Sequence, residues 1–375
     1  MRLRSAFGFA ASPARPFPTR VPDPFRDMNP RLLLVTGSLI LSVLLGVVVS
    51  RRGHTADAGG AAKPGGKIRI GLSLDTLKEE RWQRDRDRFT AKATELGAEV
   101  FASSANSDDA RQMQDCEALL TRGIDVLVIV PHNGEAMAKA VAAAKQAGVP
   151  VISYDRLIRD SDVDLYLSFD NVRVGEEQAR YLVNQLRGKK AKIVRIYGSK
   201  TDNNAALFKL GQDNILNPLI ASGQIEVLFE DWCVDWKPEN AKKIMNAAIT
   251  AKGRELDGVL ASNDGTAGGA IQALTEEGLA GKVLVTGQDA ELAACQRILR
   301  GTQTMTIYKP LSKLADRAAE AAVALGKRQV LIANGVVENG FKKVPSILED
   351  VVSVDKANMQ DTVVKDGFHK AEDLR

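Results

Sequence analysis

Cysteine is scarce in this sequence: 375 residues hold only Cys116, Cys233 and Cys295, far apart and with no CxxC spacing. Histidine is as scarce, with His54, His132 and His369 scattered along the chain. Neither residue type supplies ligands at the spacing of a zinc or iron–sulfur site, so no metal is expected. The chain also lacks GxGxxG and GxxxxGK[ST], and DGTAGGA has the wrong spacing, so the glycine-rich loop that would cradle a phosphate is missing. Large excess charge is absent too. The net charge is +4, and the arginines before residue 32 account for more than that excess. The remainder is near neutral, which gives a dedicated nucleic-acid surface no support. No cofactor is implied.

What is present begins with an apolar run. LLLVTGSLILSVLLGVVVS, residues 32–50, is uncharged and follows a basic extension, 1–31. Its length suits a signal-peptide core or a membrane anchor. Met28, in MNPR, would itself open a short basic leader, so it competes with Met1 as the start. Residues 51–66 are small and glycine-rich and read as a flexible linker. No cysteine closes the apolar run, so lipoprotein anchoring is not indicated. Export is the expectation, with cleavage and anchoring both open.

From Lys67 onward, short β-branched runs alternate with amphipathic stretches of helical length. KIRIGLSL, AEVFASSA, DVLVIVP, VPVISYD and DLYLSFD read as strands, and DRFTAKATELG, ARQMQDCEALLTRG and GEAMAKAVAAAKQAG as helices closed by glycine. The pattern then restarts with AKIVRIYGS, QIEVLFED, LDGVLASND and GKVLVTGQD. Such alternation predicts an α/β fold with two mainly parallel sheets flanked by helices. Cys116 falls on a helix and reads as a small buried residue; a Cys233–Cys295 pair is left open.

An internal echo supports two units. GIDVLVIVPHN followed by AGVPVISYD resembles LDGVLASND followed by AGKVLVTGQD, which equates Asn133 with Asn263 and Asp155 with Asp289. Open α/β sheets bind ligands beyond the carboxyl ends of their strands. The residues expected there are Arg81, Trp82, Asp155, Arg156, Asp202 to Asn204, Trp236, Asn263, Asp289 and Lys309. Forked carboxylates, amides and guanidiniums match adjacent hydroxyls, and indole rings match the C–H face of a sugar. Bland readings stand beside each: Arg81 as a solvated helix residue, the tryptophans as core, Asp155 and Asp289 as helix caps, Asn203 and Asn204 as turn residues. Paired carboxylates also suit a hydrolase, although Arg156 and Lys309 would keep them ionised rather than poised as acids.

ERWQRDRD, ISYDRLI, LSFDN, TDNNA, DWCVDWKPENA, SNDGTAGGAIQAL, GQDA and TQTMTIYKP together resemble periplasmic sugar-binding proteins of the ribose-binding type, and within them the xylose branch, from about Lys67 to His369. The resemblance implies a type I periplasmic binding fold: two Rossmann-like lobes joined by three hinge crossings, near Asn171, Gln303 and Pro345. Residues 67–171 and 304–345 would form the N-terminal lobe, and 172–303 and 346–375 the C-terminal lobe. It also implies a non-enzymatic monomer that captures a monosaccharide, D-xylose, for an ABC transporter permease. Arg81, Trp82, Asp155, Arg156, Asn204, Trp236, Asn263, Asp289 and Lys309 would be its ligand-binding residues, with the two tryptophans sandwiching the sugar ring. The sequence departs from the family at PHN, Pro131 to Asn133, and at Lys200. Lactose-repressor-like regulators share the fold, but they place a helix-turn-helix where this chain has an apolar run. A sugar sensor, or a binder of ribose or galactose, fits the same residues. In ERWQRDRDRF itself, Arg81 and Trp82 are expected on the loop after the first strand, and the arginines and aspartates from Arg84 to Arg88 on a solvated helix face, with Phe89 turned to the core.

Overall fold

The computed structural model describes residues 66–375. The basic extension, the apolar run 32–50 and the linker through residue 65 lie outside the described residues. Two parallel sheets organise the rest. The first is begun by β1 (Arg69–Leu74), β2 (Glu99–Ser104), β3 (Val126–Val130), β4 (Val151–Tyr154) and β5 (Leu165–Phe169), with α1 (Glu80–Glu95), α2 (Asp109–Thr121) and α3 (Ala138–Gln146) between them. Strands β3, β4 and β5 are buried at every position, as strands covered on both faces are, and β3 is an unbroken Val/Ile/Leu run.

The second sheet holds β6 (Ala191–Tyr197), β7 (Ile225–Trp232), β8 (Gly258–Ala261) and β9 (Leu284–Val285), in the order β7-β6-β8-β9. Its helices are α4 (Asn171–Leu186), α5 (Asn203–Ala221), α6 (Pro238–Lys252), α7 (Asp264–Glu276) and α8 (Leu292–Arg300). Helices α4 and α5 pack backbone to backbone. A Cβ on Gly211 would lie 1.9 Å from the Val172 carbonyl oxygen, so only glycine permits that approach.

The chain then returns to the first sheet. Strand β10 (Thr306–Tyr308) pairs antiparallel with β13 (Val352–Val354), and α9 (Leu311–Gly326) packs on α1 and the first sheet. Strands β11 (Gly335–Glu338) and β12 (Lys343–Glu349) complete the order β11-β12-β5-β4-β3-β1-β2, with β12 parallel to β5 and β11 antiparallel at the edge. The result is the type I periplasmic binding fold, two α/β lobes linked by three chain passages. The passage expected near Pro345 comes later, because β12 pairs with β5 as far as Glu349 opposite Phe169. Proline suggests a break, but Pro345 stands near the start of β12 and Ser346 onward supplies the ladder.

Helix α1 also begins earlier than DRFTAKATELG suggests, so Arg81 and Trp82 occupy its first turn rather than a loop. Phe89 is buried, as expected. All three cysteines are buried free thiols, and the Cys233–Cys295 pair does not form. Among the described residues no helix is long and apolar enough to cross a membrane.

Candidate functional site: a charged cleft between the lobes

The cleft is built from the turns that follow the strands. At the end of β4, Asp155 has a left-handed backbone, φ 61°, and its N–H donates to the Leu167 carbonyl at 2.6 Å. Asp289, its counterpart in the internal echo, has φ 97° and donates to Ile307 at 2.8 Å. Each lobe thus presents an aspartate from a positive-φ backbone, and at Asp289 the following Ala290 is left-handed as well, φ 50°; such conformations persist only where surrounding structure holds them. Neither aspartate caps a helix, whereas Asn263 does: its Oδ1 accepts from Thr266 N–H in a capping box on α7.

Between the aspartates lies Arg81. Its Nη2 donates to Asp155 Oδ2 at 2.6 Å, its Nη1 to Asp289 Oδ1 at 3.4 Å and its Nε to Asp85 Oδ2 at 3.4 Å. Lys309 Nζ stands 2.8 Å from Asp289 Oδ1. Arg156 reaches both lobes, with Nη1 on Asp75 Oδ2 at 2.6 Å and Nε on Asp202 Oδ2 at 2.9 Å. Both guanidiniums lie over the Trp82 ring, at 4.1 and 5.1 Å from its centroid, a favourable placement of cation on π face. Asn204 Nδ2 crosses the cleft to Asp155 Oδ1 at 3.1 Å.

Trp236, also left-handed at φ 55°, donates through Nε1 to Asp202 at 3.1 Å and meets Phe208 edge-on. Its ring lies against Gly198, where a Cβ would come within 2.0 Å of the indole. The backbone therefore makes room for the ring.

Burial penalises the charges of Asp155, Arg81, Arg156 and Asp202, and pairing offsets it for the first three. For Asp155, burial works to raise the pKa, but Arg81, Lys309 and Arg156 outweigh it and hold the carboxyl below its usual value. Arg81 and Arg156 are driven the other way: burial opposes their charge, and the surrounding aspartates raise them above the ordinary arginine value. For Asp202 burial prevails and the carboxyl is raised.

One cavity collects these groups. Arg81, Trp82, Asp155, Arg156, Asn204, Trp236, Asn263, Asp289 and Lys309 all line it, together with Glu79, Asp202, Phe208 and Gln288. The cavity is small, about 30 Å³, because the side chains lean on one another across the cleft. Glu79 Oε2 and Gln288 Oε1 are buried with no hydrogen-bond partner among the described residues. Nothing in the sequence singles out Glu79, Phe208 or Gln288 beyond their adjacency, along the chain or on one helix face, to the expected binding residues. Asp202 was among the strand-end residues but not in the ligand-binding set.

The run from Arg84 to Arg88 is a solvated helix face at every position but one. Arg84 pairs with Glu80, Arg86 with Asp87 and Arg88 with Asp316, at least partly open to solvent, but Asp85 is fully buried between Arg81 and the Tyr154 hydroxyl. Helical periodicity turns that one acid inward beside Arg81 and Phe89.

Contacts between the lobes continue at the cleft rim. His132, held at Nδ1 by Asp109 of its own lobe at 2.7 Å, meets Asp235 of the other through Nε2 at 3.3 Å, while Lys78 Nζ donates to the Asp235 carbonyl at 2.9 Å. On α1, Glu80 Oε2 accepts from Leu292 N–H at 3.2 Å, and Arg84 Nη1 donates to the Phe368 carbonyl at 2.6 Å. The departures at His132 and Lys200 are outside the cavity wall.

Comparison with known proteins agrees with this architecture. A periplasmic binding protein domain model matches residues 70–329. A D-xylose-binding periplasmic protein of Haemophilus influenzae is 52% identical, covering 82% of this chain and 92% of its own. The protein of the same name from Escherichia coli is 51% identical, covering 82% and 93%. The crystal structure of a carbohydrate transporter solute-binding protein from Chloroflexus aurantiacus, in complex with D-glucose, superposes with a TM-score of 0.78 at 35% identity, covering 82% of this chain and 98% of that one. The chain belongs to the periplasmic binding protein family.

Proposed function

We propose that this chain is an exported, non-catalytic solute-binding protein that captures a pentose, D-xylose, between its lobes and delivers it to the permease of an ABC transporter. The observation that carries the reading is the single cavity in which forked cations and carboxylates from both lobes alternate around two indoles. Arg81, Asp155, Arg156, Asn204, Asn263, Asp289 and Lys309 would bond hydroxyls, and Trp82 and Trp236 would pack on the C–H faces of the ring. Glu79 Oε2 and Gln288 Oε1 add acceptors that ligand hydroxyls would satisfy. The two relatives named for D-xylose, at 52% and 51% identity, support that sugar over the glucose of the 35% identical structure.

Binding and closure are one equilibrium. Neither half-site holds the full set of bonds, so ligand favours the state in which the lobes meet, and closure gives the permease a composite surface to read. Relatives named as periplasmic support export through the apolar run 32–50, as cleaved leader or retained anchor, and a monomer suffices because both half-sites come from one chain. Isothermal calorimetry with D-xylose, D-ribose, D-galactose and D-glucose tests the reading. D-xylose should bind tightest; if it binds no better than the others, the specificity is wrong, and if none binds, so is the function.

A further inference from the structure

Asp85 takes no part in the cavity wall, yet it is buried beneath it. One carboxylate oxygen accepts from Tyr154 OH and the other from Arg81 Nε, one helical turn back along α1. Tyr154 is the last residue of β4 and Asp155, which follows it, holds Arg81 Nη2. A closed circuit results: Arg81 to Asp85, Asp85 to Tyr154, along the backbone to Asp155, and back to Arg81. An arginine has five N–H donors in a rigid plane. With Nε–H committed to the rear, the plane cannot turn about its long side chain, and the remaining fork faces the cleft.

We infer that Asp85 is the positioning residue for Arg81, and that with Tyr154 it forms a proton-sensitive brace that sets the affinity of the cleft for its sugar. The inference rests on the sugar-binding reading above. The groups facing the Asp85 carboxyl are Arg81 on its own helix, Tyr154 and Asp155 from the end of β4, and Lys309 beyond β10. Burial raises its pKa to about 6, while Arg81, the Tyr154 hydrogen bond and Lys309 pull it down and Asp155 pushes it up. As pH falls through that value the carboxylate gains a proton, loses its attraction for Arg81 and frees the guanidinium to rotate. Sugar affinity therefore falls with acidification.

The test is calorimetry of D-xylose binding from pH 5 to pH 8 with the wild type, Asp85→Asn and Tyr154→Phe, read beside the NMR signal of the Arg81 Nε–H without sugar. The wild type should weaken with a midpoint near 6, and Asp85→Asn should bind about tenfold more weakly at pH 7.5 and lose that step. Tyr154→Phe keeps the carboxylate but removes a bond to its ionised form, so its midpoint should move upward. Every titratable group other than Asp85 and Tyr154 is common to all three proteins, so differences between profiles isolate the brace. The Arg81 Nε–H should exchange slowly in the wild type and quickly in Asp85→Asn. An Asp85→Asn profile superposable on the wild type, or an unchanged Arg81 Nε–H, overturns the inference. Absence of sugar binding by the wild type overturns the sugar reading instead, and the Arg81 signal still decides the brace.

Discussion

Arg81 of one lobe and Asp289 of the other face each other at 3.4 Å, and Lys309 stands 2.8 Å from the same Asp289 oxygen. Removing Asp289 leaves two buried cations short of a counter-ion and deletes a proposed sugar acceptor. Asp289→Ala should weaken D-xylose binding at least about 30-fold, since truncating one member of a buried charged set costs about 2–5 kcal/mol. Calorimetry gives the answer, and an affinity within twofold of the wild type would place Asp289 outside the binding set.

Gly198 makes room for Trp236. A methyl group there would meet the indole at 2.0 Å, so Gly198→Ala must displace the ring or the strand end. The protein should fold with about 1–3 kcal/mol lost, while sugar binding collapses and tryptophan emission shifts. A variant that binds normally would show that the indole does not pack on the ligand.

The rim contacts act on rates. Asp235 takes His132 Nε2 and carries φ 54°, a conformation that asparagine tolerates well. Asp235→Asn should raise the sugar off-rate by up to about fivefold, the scale of one hydrogen bond, and leave the on-rate within twofold. Stopped-flow tryptophan fluorescence separates the two, and an unchanged off-rate removes the rim from the closing step.

His369 links stability to pH. Its Nε2 donates to the Ala290 carbonyl at 2.7 Å, and its Nδ1 must accept from Arg84 at 3.2 Å, since arginine only donates. Burial first, then the Arg84 charge, depress its pKa, partly offset by the Ala290 bond and nearby Glu80 and Asp373. A depressed value means that the unfolded chain binds the proton more readily. The contribution is therefore intact above the unperturbed value near 6.5 and is lost as pH falls through the folded value. Between pH 7 and pH 5 the wild-type melting temperature should fall more than that of His369→Gln, which keeps one donor and one acceptor. Parallel curves would refute the linkage.

Much of the cleft was legible because strand ends are legible. VISYD and VLASND each close a short buried strand, and polar side chains just beyond such strands in a parallel sheet have one place to go. Asp85 was not, because alternating arginine and aspartate look the same on a solvated face and on a half-buried one. Its burial is decided by Tyr154, 69 residues away, and not by its neighbours. Strands β10 and β13, each a three-residue element, are too short to show a period of two, so the third passage between lobes was placed before β12 ended rather than after it. The start of α1 was missed because Glu79 makes no side-chain cap and the helix opens without the usual signal.

The positive-φ turns at Asp155 and Asp289 have a consequence for the entropy of capture. In each, the left-handed backbone is tied by its own N–H to the carbonyl of a strand that follows it in the chain, Leu167 for one and Ile307 for the other. Those ties hold the backbone of each turn, so each aspartate is aimed by its own chain rather than by the ligand. What remains to be ordered on binding is the relative setting of two rigid halves rather than the many torsions of a loose pocket, and a small neutral ligand with few contacts to offer gains most from that economy.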